Sequence, residues 1–224
     1  FLWETSEKSG YVHRRRVVDT MKIWRNMELC LLMRRLWKKD KLTFLHSYRV
    51  TKILMSFVHY AEIETEKIKN LELGSLLHDI GKIKVRAEIL QKKGKLLEHE
   101  YEEMKKHPQL GAEILAKYAL PEVVEKMALS HHERWDGNGY PYGLKGKEIP
   151  LEARILALAD SLEAMTGIRP YRSSLSWEEA YEEIVKGKGT QFDPELASLF
   201  LKWMEHEQIP IEYSLPTLLE NTIC

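Results

Sequence analysis

A chain of 224 residues is long enough for one large domain, or one domain with a helical extension, and builds a core without covalent staples. Its 34 basic residues balance its 34 acidic ones, so no global field recommends a nucleic-acid polymer or an anionic membrane as partner, and any phosphate site has to be local. The two cysteines, Cys30 and Cys224, are far apart and make neither a disulfide framework nor a metal spacing, which suits a reducing, cytoplasmic setting.

Apolar residues recur at helical spacing along almost the whole chain, and runs of strand-type alternation are absent, so the expected fold is all-α. The first segment, 1–40, carries the basic run Arg14, Arg15 and Arg16 and the apolar row Val17, Met21, Trp24 and Leu31 on a helix expected over about 14–37. It holds none of the acid and histidine clusters found later and reads as a helical extension or linker. Its apolar stretch around 27–33, bounded by Arg25 and Arg34, is far too short for a bilayer, and no signal peptide precedes it. The chain begins with Phe1, from which we expect a longer parent protein with an upstream sensory domain or signalling partner.

From residue 41 to 224 the sequence reads as one helical domain. Helices are expected over about 43–60, 66–79, 100–118, 121–133, 151–166, 177–187 and 194–206, with edges placed to within about 2–4 residues. Gly94, Pro108, Pro121 and Pro150 mark breaks, and Pro150 stands where a first helical turn would start. The only long glycine-rich loop covers 136–149.

The polar residues that do not fit an ordinary helical core gather on these elements. His46 begins a helix; His78 and Asp79 end the one reading LGSLLHDIGK; His107 lies in EEMKKHPQLGAEIL; His131 and His132 end another; Asp160 lies inside the apolar helix ARILALADSLEAMT. Taken singly, each is more often a hydrogen-bonded core or surface residue than a ligand. Jointly they call for one explanation, because buried carboxylates need a charge partner and neutral imidazoles cannot supply it. Metal cations can, and a mixed nitrogen and carboxylate set suits Fe, Mn, Ni or Zn. Neighbours on a helix stand about 100° apart, so His78 and Asp79 can straddle one centre or reach two. His13, His59, His99 and His206 sit among charged surroundings and read as surface residues.

The ordered set His46, HDIGK at 78–82, KKHP at 105–108, HHERWDGNGYP at 131–141, ALAD at 157–160 and RPYR at 169–172 resembles the HD-GYP family of cyclic di-GMP phosphodiesterases, over residues 43–206. The resemblance implies that His46, His78, Asp79, His107, His131, His132 and Asp160 ligate a metal centre, with Asp79 bridging. It implies that Lys82 touches substrate phosphate, that Tyr140 stands near the site, and that Arg169 and Arg172 grip phosphate or guanine. Two divalent transition-metal ions are expected, Fe or Mn ahead of Ni or Zn, with hydrolysis of cyclic di-GMP to pGpG by a metal-activated hydroxide and a second cut to GMP left open. In-line phosphodiester hydrolysis agrees with such a set: it needs a hydroxide at neutral pH and a clamp for developing charge, which two ions provide. A homodimer is also left open.

Two positions depart from the family pattern. ALADSLEAMT offers Glu163 where the second acid is usually Asp, and Leu42 stands where three-metal members carry a glutamate one turn before the first histidine. The competing reading is a catalytically weak module that binds a cyclic dinucleotide or a partner protein and transmits the signal. Retention of all seven ligand positions and Lys82 speaks against it. A third reading, a mononucleotide phosphohydrolase of the wider HD class, is disfavoured by the GYP loop and RPYR.

Overall fold

The computed structural model describes residues 27–63, 65–167 and 174–207, with the backbone alone for 65–68. The row Val17, Met21 and Trp24 and the pair Arg169 and Arg172 lie outside the described residues. Within them the all-α expectation holds. In chain order the helices are α1 (Met27–Lys39), α2 (Lys41–Tyr60), α3 (Thr65–Leu77), a 3-10 helix (Ile80–Lys84), α4 (Ala87–Leu90), α5 (Glu98–Met104), α6 (His107–Leu115), α7 (Glu122–Ser130), a 3-10 turn (Gly146–Glu148), α8 (Leu151–Thr166), α9 (Trp177–Gly187) and α10 (Pro194–Glu207).

Two apolar clusters hold these helices together, and α2 contributes to both. One gathers Leu54 and Phe57 of α2 with Leu156 and Leu162 of α8 and with Phe200 and Trp203 of α10. The other gathers Leu29, Leu32, Met33 and Leu36 of α1 with Phe44 and Tyr48 of α2, Leu76 and Leu77 of α3, and Leu115 and Val124. The α1 residues recur at three- and four-residue spacing, so one stripe of that helix is buried while Leu31 faces out. The helices on either side of residue 40 therefore share one apolar cluster, while the turn between them lies at the surface. Asp40 caps α2 there, its carboxylate accepting from Leu42 N at 3.1 Å and Thr43 Oγ1 at 2.6 Å.

The largest difference from the expected helices falls at 100–118, which forms two helices. Pro108 is the reason. It has no N–H, and its ring clashes with the carbonyl four residues back in a continuous helix, that of Met104. Met104 O instead accepts from His107 Nδ1 at 2.7 Å, so the interruption that ends α5 also orients the first residue of α6. The helices expected to reach 79 and 133 stop at Leu77 and Ser130. His78, Asp79, His131 and His132 thus stand in turns just past helix ends, where side chains of consecutive residues can converge.

Candidate metal centre

Five elements meet between the two apolar clusters. His46 comes from α2, His78 and Asp79 from the turn after α3, His107 from the start of α6, His131 and His132 from the turn after α7, and Asp160 from α8. Donor atoms of His46, His78 and Asp79 lie within 4.8 Å of one another, as do those of His107, His131 and His132. Asp79 joins the two groups. Its Oδ2 lies 3.6 Å from His46 Nε2 and 3.5 Å from His78 Nε2, while its Oδ1 lies 3.2 Å from His107 Nε2 and 3.8 Å from His131 Nε2. Asp160 Oδ1 sits 3.0 Å from His46 Nε2 and 4.0 Å from His78 Nε2.

The backbone fixes which nitrogen of each ring faces inward. Nδ1 of His78, His107 and His131 lies 2.7, 2.7 and 2.8 Å from the carbonyl oxygen three residues back, at Ser75, Met104 and Ala128. A carbonyl can only accept, so Nδ1 carries the proton, and a neutral ring then presents Nε2 as a lone pair. Nε2 of His107 and Nε2 of His131 stand 3.2 Å apart. Two lone pairs facing each other at that distance repel unless a cation lies between or beside them. His78 Nε2 and Asp79 Oδ1 are buried without a hydrogen-bond partner, which is costly for polar atoms in an apolar surround. Inward Nε2 atoms anchored through Nδ1, with a carboxylate between them, fit a metal centre.

Electrostatics point the same way. Burial lowers His78, and burial with the neighbouring imidazoles holds His131 well below its ordinary range and pushes His132 down to about 3, so these rings stay neutral donors. For Asp79 burial opposes ionisation, but Lys82, His78 and His107 hold it well below the usual carboxylate range. His46 differs: burial works against its charge, yet hydrogen bonds to Asp160 and Glu163 push it up to about 9.

Lys82, in the 3-10 helix, places Nζ 2.6 Å from Asp79 Oδ2 and keeps partial exposure at the edge of the site. Tyr140 stacks on His132, ring centroids 4.8 Å apart, and burial pushes its phenol up. The structure thus gathers every expected site residue except Arg169 and Arg172, which lie outside the described residues.

Three supporting residues were not expected from sequence in the roles they hold. Glu163 lies behind His46, accepting from its Nδ1, and Arg49 Nε donates to Glu163 Oε1 at 2.5 Å. Both are spaced i, i+3 from site residues, Arg49 from His46 and Glu163 from Asp160, and that repeat was the available signal. Glu133, only 4% exposed, accepts from Tyr142 N at 2.8 Å and Leu144 N at 3.0 Å and so ties the glycine-rich loop to the turn bearing His131 and His132. Gly139 lets that loop close on the turn: a Cβ there would lie 2.4 Å from Arg134 N and 2.6 Å from His132 O.

The HD domain family model matches residues 31–196. A Thermotoga maritima protein named cyclic di-GMP phosphodiesterase is 39% identical over 166 residues, 73% of this chain and 45% of its own length. A Vibrio cholerae protein named 3'3'-cGAMP-specific phosphodiesterase 2 is 42% identical over 158 residues, 70% of this chain and 30% of its own. The chain thus spans less than half the length of either relative. Among solved structures, a cyclic GMP-AMP specific phosphodiesterase of V. cholerae superposes with a TM-score of 0.63 at 19% identity, covering 88% of this chain and 52% of that one, a likeness of fold. With HDIGK, KKHP and HHERWDGNGYP converging on one centre and the model spanning most of the described residues, the chain belongs to the HD-domain family, in its HD-GYP branch.

Proposed function

We propose that this chain is the catalytic unit of a metal-dependent phosphodiesterase that hydrolyses cyclic di-GMP to pGpG. Its proposed ligands are His46, His78, Asp79, His107, His131, His132 and Asp160, holding two divalent transition-metal ions, Fe or Mn ahead of Ni or Zn. The observation that carries this reading is Asp79, whose two oxygens face two separate groups of inward nitrogens. The relatives named for cyclic dinucleotide hydrolysis support the substrate class.

Ions held there supply Lewis acidity that lowers the pKa of water and offsets charge developing on phosphoryl oxygen. The chain's own residues do the rest. Lys82, at the edge of the site and held by Asp79, offers Nζ to a phosphate oxygen. Tyr140, braced on His132, forms the wall of the loop side. Arg169 and Arg172 are proposed as the phosphate- or guanine-binding pair on the resemblance alone. Net hydrolysis adds water across one P–O3' bond, leaving the phosphate on O5' and the proton on the released 3' hydroxyl.

Two ions are proposed because α2 starts at Lys41, so position 42 is helical and one turn before His46, yet Leu42 there has no donor atom. Residues 41–224 are proposed as the catalytic domain, with α1 of the preceding segment buttressing it.

A second substrate is favoured by one observation, the 42% identity to the protein named for 3'3'-cGAMP. Incubating metal-loaded protein with cyclic di-GMP and with 3'3'-cGAMP, and resolving products by chromatography, tests both. Linear dinucleotide from either supports the enzyme and ranks the substrates. Tight binding with no product from either would replace it with the binding module.

A further inference from the structure

We propose that Arg49 and Glu163 are a positioning pair that holds His46 from behind, fixing Nδ1 as the hydrogen-bond donor and Nε2 as the metal donor, and that Glu163 is not itself a ligand. This rests on the metal-centre reading above.

Two helices build the arrangement with the same spacing. On α2, His46 and Arg49 are three residues apart; on α8, Asp160 and Glu163 are three residues apart. Residues so spaced share a helix face, and the two faces meet. Asp160 Oδ1 therefore reaches the Nε2 side of His46 at 3.0 Å, while Glu163 Oε2 reaches the Nδ1 side. The other Glu163 oxygen, Oε1, receives both Nε and Nη2 of Arg49 at 2.5 Å each. Each carboxylate oxygen thus has its own partner.

Gly167 supplies an independent observation. A Cβ there would lie 2.6 Å from Glu163 Oε1 and 3.0 Å from its Cδ. The end of α8 closes tightly on this carboxylate at Oε1, the oxygen that Arg49 holds, and turning towards the metal side would break its bonds to both partners. The guanidinium matches the charge that burial of Glu163 would otherwise leave uncompensated. Of the seven proposed ligands, His78, His107 and His131 have their Nδ1 fixed by backbone carbonyls, whereas His46 uses this side-chain pair. His46 is the sixth residue of α2, and its Nδ1 is held by Glu163 of α8 rather than by a carbonyl of its own helix, so its orientation comes from another element.

The test uses the 224-residue chain and Mn(II) or Zn(II), titrated against a competing chelator, with melting of the metal-free protein followed by circular dichroism. Glu163→Gln keeps size but must aim its amide NH2 at either Arg49 or His46, so a donor meets a donor. We expect one of two ions to bind about 10–100-fold more weakly, the range seen when outer partners of a metal ligand are removed. Arg49→Ala should weaken the same ion, and Arg49→Lys should recover part of the loss. In zinc-loaded native protein the His46 Nδ1–H should give a 15N–1H signal protected from solvent exchange, absent from Glu163→Gln. Should Glu163→Gln fail to fold, Gly167→Ala displaces the carboxylate by contact alone and should weaken the same ion. Native-like melting with metal affinity within about twofold of the unsubstituted chain in these variants would overturn the proposal, as would anomalous diffraction showing Glu163 bonded to an ion. His46→Ala separates the two levels. If it loses the ion while Glu163→Gln does not, the positioning role fails alone; if it keeps both ions, the metal-centre reading fails.

Discussion

Gly81→Ala offers a sharp test of how the centre is built, because one added methyl meets backbone on the element that carries His107. A Cβ at residue 81 would stand 1.9 Å from His107 O, 2.5 Å from Gly111 N and 2.9 Å from His107 C. Ordinary contact begins near 3.4 Å, so the start of α6 has to recede from the 3-10 helix by about 1.5 Å. Metal–nitrogen distances tolerate only about ±0.2 Å. His107 Nε2, now 3.2 Å from Asp79 Oδ1, would be carried out of reach of any ion that Asp79 shares. Overpacking of this kind costs about 1–3 kcal/mol, and a loss of that size lowers Tm by roughly 2–12 °C in a chain of this length. Gly111→Ala is the control across the same interface: its Cβ would lie 3.4 Å from Gly81 N and 3.7 Å from Ala128 Cβ, and α6 gains a better helix former. Chelator competition and thermal melting should therefore show more than tenfold weaker metal binding for Gly81→Ala and near-native behaviour for Gly111→Ala. Native metal affinity in Gly81→Ala, or equal damage from both, would refute the reasoning.

Asp79→Ala should remove metal and turnover together, as measured by elemental analysis beside product chromatography; full metal content with normal turnover would undo the bridging role. Lys82→Ala should keep its metal and lose rate by roughly 10²–10³, as when one charge-stabilising donor is removed; equal loss of metal would make Lys82 structural. Deleting residues 1–39 removes Leu29, Leu32, Met33 and Leu36 from the core, and at about 1.5–3 kcal/mol each this matches the whole stability of a typical domain, so the truncated chain should fail to melt cooperatively by circular dichroism, and a native-like transition would refute the buttressing role of α1. The Arg134 hydrogen bond holds Asp136 down to about 2; its contribution is present above the unfolded value near 3.9 and is lost as pH falls towards about 2. The Tm difference between the native chain and Asp136→Asn should accordingly shrink between pH 5 and about pH 2, and a constant difference would count against it.

Much of the centre was legible because its ligands sit in short motifs whose order along the chain is distinctive: HDIGK, KKHP and HHERWDGNGYP needed no structure to be singled out. Helical periodicity likewise indicated α2, α8, α9 and α10 nearly to their ends. Partnerships between distant elements were hidden. The i, i+3 spacing sets Arg49 beside His46 but does not say that it meets Glu163, 114 positions later, and nothing in the row of α1 tells whether its apolar stripe faces α2 or another molecule. The split of α5 from α6 was marked by Pro108, but that the freed Met104 carbonyl would be taken by His107 depends on where the ring points, which spacing does not encode. In sequence Glu133 is simply an acid beside two histidines; that its carboxylate turns inward to two backbone amides follows from the return path of the loop.

That return path sets how much of the protein has its loop open at equilibrium. For the loop to swing away, Tyr142 N and Leu144 N must both leave the Glu133 carboxylate. Hydrogen bonds to a charged group contribute about 1.5–3 kcal/mol each, and every 1.4 kcal/mol or so is a factor of ten. Breaking both leaves an opened loop in about one molecule in 10² to 10⁴. Tyr140 therefore spends almost all of its time against His132, and a ligand arriving from solvent meets a wall already standing rather than a gate that must close behind it.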